Sequence, residues 1–158
     1  MASARSRLLV VDASVACAAG ETHHASSKSC REALLDIREV CHRIIMTPSL
    51  LDEWKRHESR FARKWLRSMF ACRKVRNVKH PCFKLAATDI TCLNDEENES
   101  LRKDAHLFEG AFEGDGIIIS LDDEAARIWD KCRRHLQLPK EVEWINPSNG
   151  VTFPLDSI

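Results

Sequence analysis

Five short apolar runs alternate with longer segments of helical periodicity. That alternation limits what this chain can fold into more than any other feature of it. The runs occupy residues 8–11, 43–47, 75–78, 117–120 and 141–145. A continuous apolar run of this length suits a buried strand of a parallel sheet, and Ile117, Ile118 and Ile119 give the clearest case. Ser14 is placed to cap a short helix over residues 15–19, with Gly20 ending it. Residues 26–40 carry Cys30, Leu34 and Ile37 at helical spacing, with Cys41 continuing the face. One long helix is expected from Pro48 or Ser49 to about Ala71, with Leu50, Trp54, Phe61, Trp65 and Met69 on its apolar face. Residues 94–99 form a polar cap region. The helix after it runs to about Phe112, and a further helix spans residues 123–136. Strands that alternate with helices imply an α/β fold: a central parallel sheet of four to five strands with helices on both faces.

The first run raises a second reading. Arg5 and Arg7 precede apolar residues 8–11, and small residues follow, as in a secretory signal. Asp12 breaks that pattern, because an ionised carboxylate is strongly unfavourable in an apolar core of this kind. The seven cysteines are odd in number and lack the dense pattern of a disulfide framework. The strand reading is preferred, and it puts Asp12 at the carboxyl end of a buried strand, where open α/β sheets build their sites. With 44% apolar and 30% charged residues, few glycines and prolines, and no apolar run near membrane-spanning length, the chain reads as one cytoplasmic domain over residues 1–158, with no membrane partner.

Net charge is zero, but the charges are segregated. Residues 55–79 hold ten Lys/Arg and one acid, Glu58. Residues 89–124 hold twelve Asp/Glu and two bases, Arg102 and Lys103. Such asymmetry suggests a polyanion surface beside a gathering of carboxylates. In a parallel sheet the carboxyl ends of the strands share one edge. Asp12, Glu53 and Asp122 follow three strands and can converge there, and Asp104 can reach the same crevice from a flanking helix. Crowded carboxylates repel one another unless a cation neutralises them. Hard oxygen donors suit Mg²⁺ or Mn²⁺, which can promote hydrolysis of a phosphodiester. Lys55, Arg56, Arg60, Arg63, Lys64 and Arg67 would offer the backbone of RNA a basic surface next to that crevice.

The segments VVDASV, TPSLLDEWKRH, LRKDAHLFEGAF and IIISLDDEA, in that order, resemble the four acidic motifs of a PIN domain. PIN domains are small α/β metal-dependent ribonucleases, and the VapC-type toxins of bacterial toxin–antitoxin pairs are their largest group. The resemblance covers nearly the whole chain. It implies that Asp12, Glu53, Asp104 and Asp122 form the acidic set, with Asp12, Asp104 and Asp122 holding Mg²⁺ or Mn²⁺. Ser14 matches the Ser/Thr that helps order the site. The resemblance also implies RNA as substrate, often a homodimer, and an antitoxin protein where the chain is a toxin. The KDAHL and SLDDEA stretches resemble stand-alone PIN proteins more than compact toxins.

Plainer readings stand beside these. Asp12 and Asp122 could each cap the helix that comes next, and Glu53 could serve a helix dipole. Asp123 suits a helix start or a water-mediated second ligand. Asp115 is expected at the opposite edge of the sheet. Cys72, His80, Cys82 and Cys92 lack the paired spacing of a zinc site. Cys17, Cys30, Cys41 and Cys132 fall on apolar helix faces and read as core. His106, two residues from Asp104, is expected to point elsewhere. The functional alternative to a ribonuclease is a non-catalytic RNA-binding or regulatory protein on the same fold.

Overall fold

Strand β1 (Leu8–Val11) forms the middle of a five-stranded sheet in the computed structural model, which describes residues 5–85, 88 and 90–149. The single domain expected over residues 1–158 extends beyond these described residues at both ends. Leu9, Val10 and Val11 are fully buried, as a strand covered on both faces requires. Strand β2 (Arg43–Met46) lies on one side of β1 and strand β4 (Ile117–Ile119) on the other. Strands β3 (Val75–Asn77) and β5 (Glu143–Ile145) close the edges, giving the order β3-β2-β1-β4-β5. All four pairings are parallel; Leu9 stands opposite Ile44, and Val10 opposite Ile118. The expected fold class is the one observed.

Helices α1 (Ala13–Ala18) and α2 (Ala25–Glu39) link β1 to β2. Helices α3 (Pro48–His57) and α4 (Arg60–Ala71) link β2 to β3. Helix α5 (Asp95–Phe112) carries the chain back across the sheet to β4, packing on β2, β1 and β4. Helix α6 (Asp123–Cys132) and a 3-10 turn (Arg133–His135) lead to β5. Parallel crossovers are right-handed. The chain travels one way from β1 to β3 and then the other way through β4 to β5, so α1–α4 cover one face and α5–α6 the other. The reversal makes the carboxyl ends of β1 and β4 a topological switch point, where a crevice opens in sheets of this class. Among the described residues, no helix is long and apolar enough to cross a membrane.

Several local expectations are corrected. The long helix over residues 48–71 is two helices. Glu58 is extended (φ −60°, ψ 136°), and Ser59 starts α4 by accepting from the Ala62 N–H at 3.1 Å. The break is held by the end of α1. The Ser59 hydroxyl donates to the Ala19 carbonyl at 2.8 Å, and its N–H donates to the Ala16 carbonyl at 3.0 Å. Carbonyls left open at the end of one helix thus select the start of another, a long-range cause that periodicity does not carry. Ser14 lies inside α1 and does not cap it; Asp12 occupies the cap position. Cys30 and Cys132 are buried as expected, but Cys17 and Cys41 are exposed. Cys41 follows α2 in the left-handed region (φ 67°), which turns it off the apolar face.

Candidate functional site

Asp12 directly follows β1, and its side chain does not cap α1. Its Oδ2 instead accepts from the Ser14 hydroxyl at 2.6 Å and from the Ser120 hydroxyl at 2.7 Å. Ser120 directly follows β4, on the other strand of the switch point. Both hydroxyls also accept from the backbone: the Leu121 N–H reaches Ser14 Oγ at 3.2 Å, and the Asp122 N–H reaches Ser120 Oγ at 3.1 Å. Residues 120–122 are thereby fastened to the end of β1 around one carboxylate. Asp12 is 9% exposed, so its charge sits at the wall of the crevice rather than in open water.

Asp122 combines a structural role with its place in the crevice. Its Oδ1 caps α6 by accepting from the Ala125 N–H at 2.9 Å. Asp123 turns to β5, and its Oδ1 accepts from the Asn146 amide at 2.8 Å. Asp115 lies at the amino edge as expected, where its Oδ2 accepts from the Leu8 N–H at 2.7 Å.

Glu53 reaches the crevice because its neighbour on α3 is pinned. The indole of Trp54 donates to the Val11 carbonyl at 2.9 Å, one residue before Asp12. Thr47 caps the same helix by accepting from the Leu50 N–H at 3.3 Å. Asp12, Ser14 and Glu53 line one cleft of about 370 Å³, together with Cys17, Arg56 and His57. Asp104 approaches from α5 on the other face. Burial pushes its carboxyl up to about 6, and the charges of Asp122, Asp12 and Glu53 add to the rise, while His106 opposes it. Asp12, Glu53 and Asp122 are therefore all within electrostatic reach of Asp104. Among the described residues, no three His, Cys, Asp or Glu side chains are drawn close enough to hold a metal ion as they stand.

Sequence reasoning missed Ser120, whose clue was a hydroxyl at the end of an all-isoleucine strand. It also placed His106 wrongly. The His106 Nε2 stands 3.2 Å from Glu53 Oε2, facing the crevice from α5. Cys17 and His57 carried no signal of their own, since each becomes a neighbour of Asp12 only when α1 and α3 pack together.

The basic residues of α3 and α4 are all exposed. Arg60, Arg63, Lys64 and Arg67 recur at i, i+3, i+4 and i+7 along α4, opposite buried Ala62, Trp65, Leu66 and Met69. Lys55 and Arg56 are exposed on α3. Arg63 is partly committed, donating to Glu58 Oε1 at 2.9 Å.

No protein-family model matches the chain, and a search of curated proteins finds no match.

Proposed function

We propose that this chain is a metal-dependent endoribonuclease of the PIN type, acting on single-stranded RNA. One observation carries the reading: a buried carboxylate at the switch point, Asp12, is fixed by two hydroxyls and lies within electrostatic reach of Asp104, whose proton affinity is raised by burial and then by Asp122, Asp12 and Glu53. Carboxylates gathered in this way make chemical sense opposite a divalent cation. The donor set fits Mg²⁺ or Mn²⁺, which take hard oxygens and use only a few carboxylates, with water filling the remaining positions. Asp12, Asp104 and Asp122 would hold the ion. When bound, it supplies Lewis acidity toward a phosphodiester and a hydroxide source near neutral pH.

The chain's own residues supply the rest. Ser14 and Ser120 keep Asp12 in one orientation, and Glu53 orients water. Lys55, Arg56, Arg60, Arg63, Lys64 and Arg67 bind the phosphate backbone without reading sequence. A cytoplasmic setting, a homodimer and an antitoxin partner belong to the same reading. Incubating the purified protein with labelled RNA tests it. Cleavage in Mn²⁺ that EDTA abolishes supports the nuclease; protein that binds RNA and leaves it intact in Mn²⁺ does not.

The exposed basic residues of α3 and α4 would by themselves serve one alternative, a non-catalytic RNA-binding protein on the same fold. RNA binding unaltered by Asp12→Asn, with no cleavage in the parent protein, is its signature.

A further inference from the structure

Helix α3 separates two depressions. Glu53, Arg56 and His57 face the acidic cleft, whereas Leu51, Lys55 and Glu58 look the other way, toward a groove of about 480 Å³ between α3 and α4. Residues 51 and 55 share one face of α3, and Glu58 follows directly after its last residue on the same side. The volume lies within the range of about 300–1,000 Å³ that small-molecule sites occupy. Leu51, Leu66 and Phe70 give the groove its apolar lining, and Phe70, at 41% exposure, is the exposed large hydrophobic residue among those described. Lys55 and Arg67 supply charge.

The single acid of the basic segment also lines this groove. The Glu58 side chain is only 8% exposed. Arg63 donates to its Oε1, while Oε2 is buried with no hydrogen-bond partner. A buried carboxylate oxygen without a donor is costly, and it identifies what a ligand must bring, namely an N–H or O–H. Arg63 is half exposed, and an ion pair of that kind is weak enough to yield to an entering group.

We propose that the α3–α4 groove is a nucleobase subsite, in which a base stacks on Phe70 and donates to Glu58 while Lys55 and Arg67 hold the adjoining phosphates. The proposal rests on the reading of RNA as substrate. It adds a base preference to a surface otherwise blind to sequence. A carboxylate accepts best from guanine, which presents two neighbouring N–H donors along one edge. Uracil presents one N–H between two carbonyl oxygens, which a carboxylate repels. The carboxylates of an acidic peptide would pair with Lys55 and Arg67 but would be repelled by Glu58 in the same groove. An RNA strand engaged at both depressions crosses α3 at Lys55 and Arg56, which puts the recognised base close to the cleaved bond without being part of it.

The test is equilibrium binding in EDTA of two short single-stranded RNAs: an all-uridine oligomer and the same oligomer with one central guanosine. The intact protein is expected to bind the guanosine oligomer about tenfold more tightly. Glu58→Gln should abolish that preference while leaving the affinity for the all-uridine oligomer in place. Phe70→Ala, an exposed substitution that leaves the core untouched, should weaken the guanosine oligomer by about tenfold. Equal affinity of the intact protein for both oligomers overturns the subsite and leaves the RNA reading standing. Unchanged RNA affinity in Phe70→Ala also overturns it. If neither oligomer binds, the RNA reading itself fails, and the subsite with it.

Discussion

The His106 Nε2 stands 3.2 Å from Glu53 Oε2, joining α5 on one face of the sheet to α3 on the other. The approach is that of an ion pair rather than an aligned hydrogen bond. His106 Nδ1 lies 3.0 Å from the Lys103 carbonyl, which can only accept, so Nδ1 carries a proton. Nε2 is the ring atom that faces the Glu53 carboxylate inside the acidic crevice. Replacing the ring with an apolar group leaves four acids without this neighbour. His106→Leu is therefore expected to lower the melting temperature in chelator and to enlarge the gain on adding Mg²⁺. Thermal melts with and without Mg²⁺ check both signs, and a smaller Mg²⁺ gain than in the parent contradicts the assignment.

The acids after β4 differ sharply in their partners, and activity should track those partners. Asp12→Asn and Asp122→Asn are expected to cut Mn²⁺-dependent RNA cleavage by about a hundredfold or more. Asp123→Asn, whose carboxylate is turned to Asn146, should cost at most about tenfold. Asp115→Ala should leave cleavage intact but lower stability by about 1 kcal/mol, through the orphaned Leu8 N–H. Cleavage assays on all four variants, each with its fold confirmed by circular dichroism, decide the matter. Asp123→Asn as the most damaging change would shift the site by one residue.

Asp104 gives a pH prediction with a definite sign. Its folded carboxyl is raised to about 6 by burial, then by Asp122, Asp12 and Glu53, with His106 opposing. The native state therefore holds this proton more tightly than the unfolded chain does. Stability falls as pH rises from the ordinary carboxylate range through about 6, and the full penalty applies above that. Asp104→Asn removes the penalty. In chelator at pH 8 it should stabilise by about 1 kcal/mol, a figure discounted for the partial exposure of the group. That corresponds to about 2–4 °C in melting temperature, shrinking to nothing toward pH 4. A gain at pH 4 with none at pH 8 would reverse the sign and refute the account.

Ser59 tests the break between α3 and α4. It caps α4 through Ala62 and holds the end of α1 through Ala19. Ser59→Ala should cost about 1 kcal/mol in urea unfolding, the usual value of a lost cap. Ser59→Asn retains a capping group and should recover most of that loss. Equal losses in both variants would show that the Ala19 contact, not the cap, dominates.

The strands were legible because a buried parallel strand must be apolar on both faces; residues 117–119 state this most clearly, and for residues 8–11 Asp12 decided it against a signal segment. Asp12, Glu53 and Asp122 were legible for a related reason: a parallel sheet delivers the residues beyond its strands to a shared edge. Ser59 and His106 were not legible. The helix break at Ser59 depends on carbonyls of α1, some 40 residues earlier in the chain. His106 lies two residues from Asp104, and sequence spacing alone says that such residues diverge around a helix. Both nevertheless address the crevice, because α5 meets α3 as well as the sheet. Ser14 kept its expected place near Asp12 while changing its role from helix cap to hydroxyl donor.

The four tryptophans divide between the two faces of the sheet. Trp54 and Trp65 stack with ring centroids 6.0 Å apart on the α1–α4 face, and both indoles donate to backbone carbonyls. Trp129 and Trp144 flank Phe108 on the α5–α6 face, and their indole nitrogens are buried with no hydrogen-bond partner among the described residues. A hydrogen-bonded indole emits at longer wavelength than an isolated one. The intrinsic fluorescence of this protein is therefore a composite of two colours, one from each layer. Trp54, bonded to the carbonyl that precedes Asp12, is the member of the redder pair that reports charge arriving at the switch point, and Trp54→Phe should remove that response while leaving the emission of Trp65.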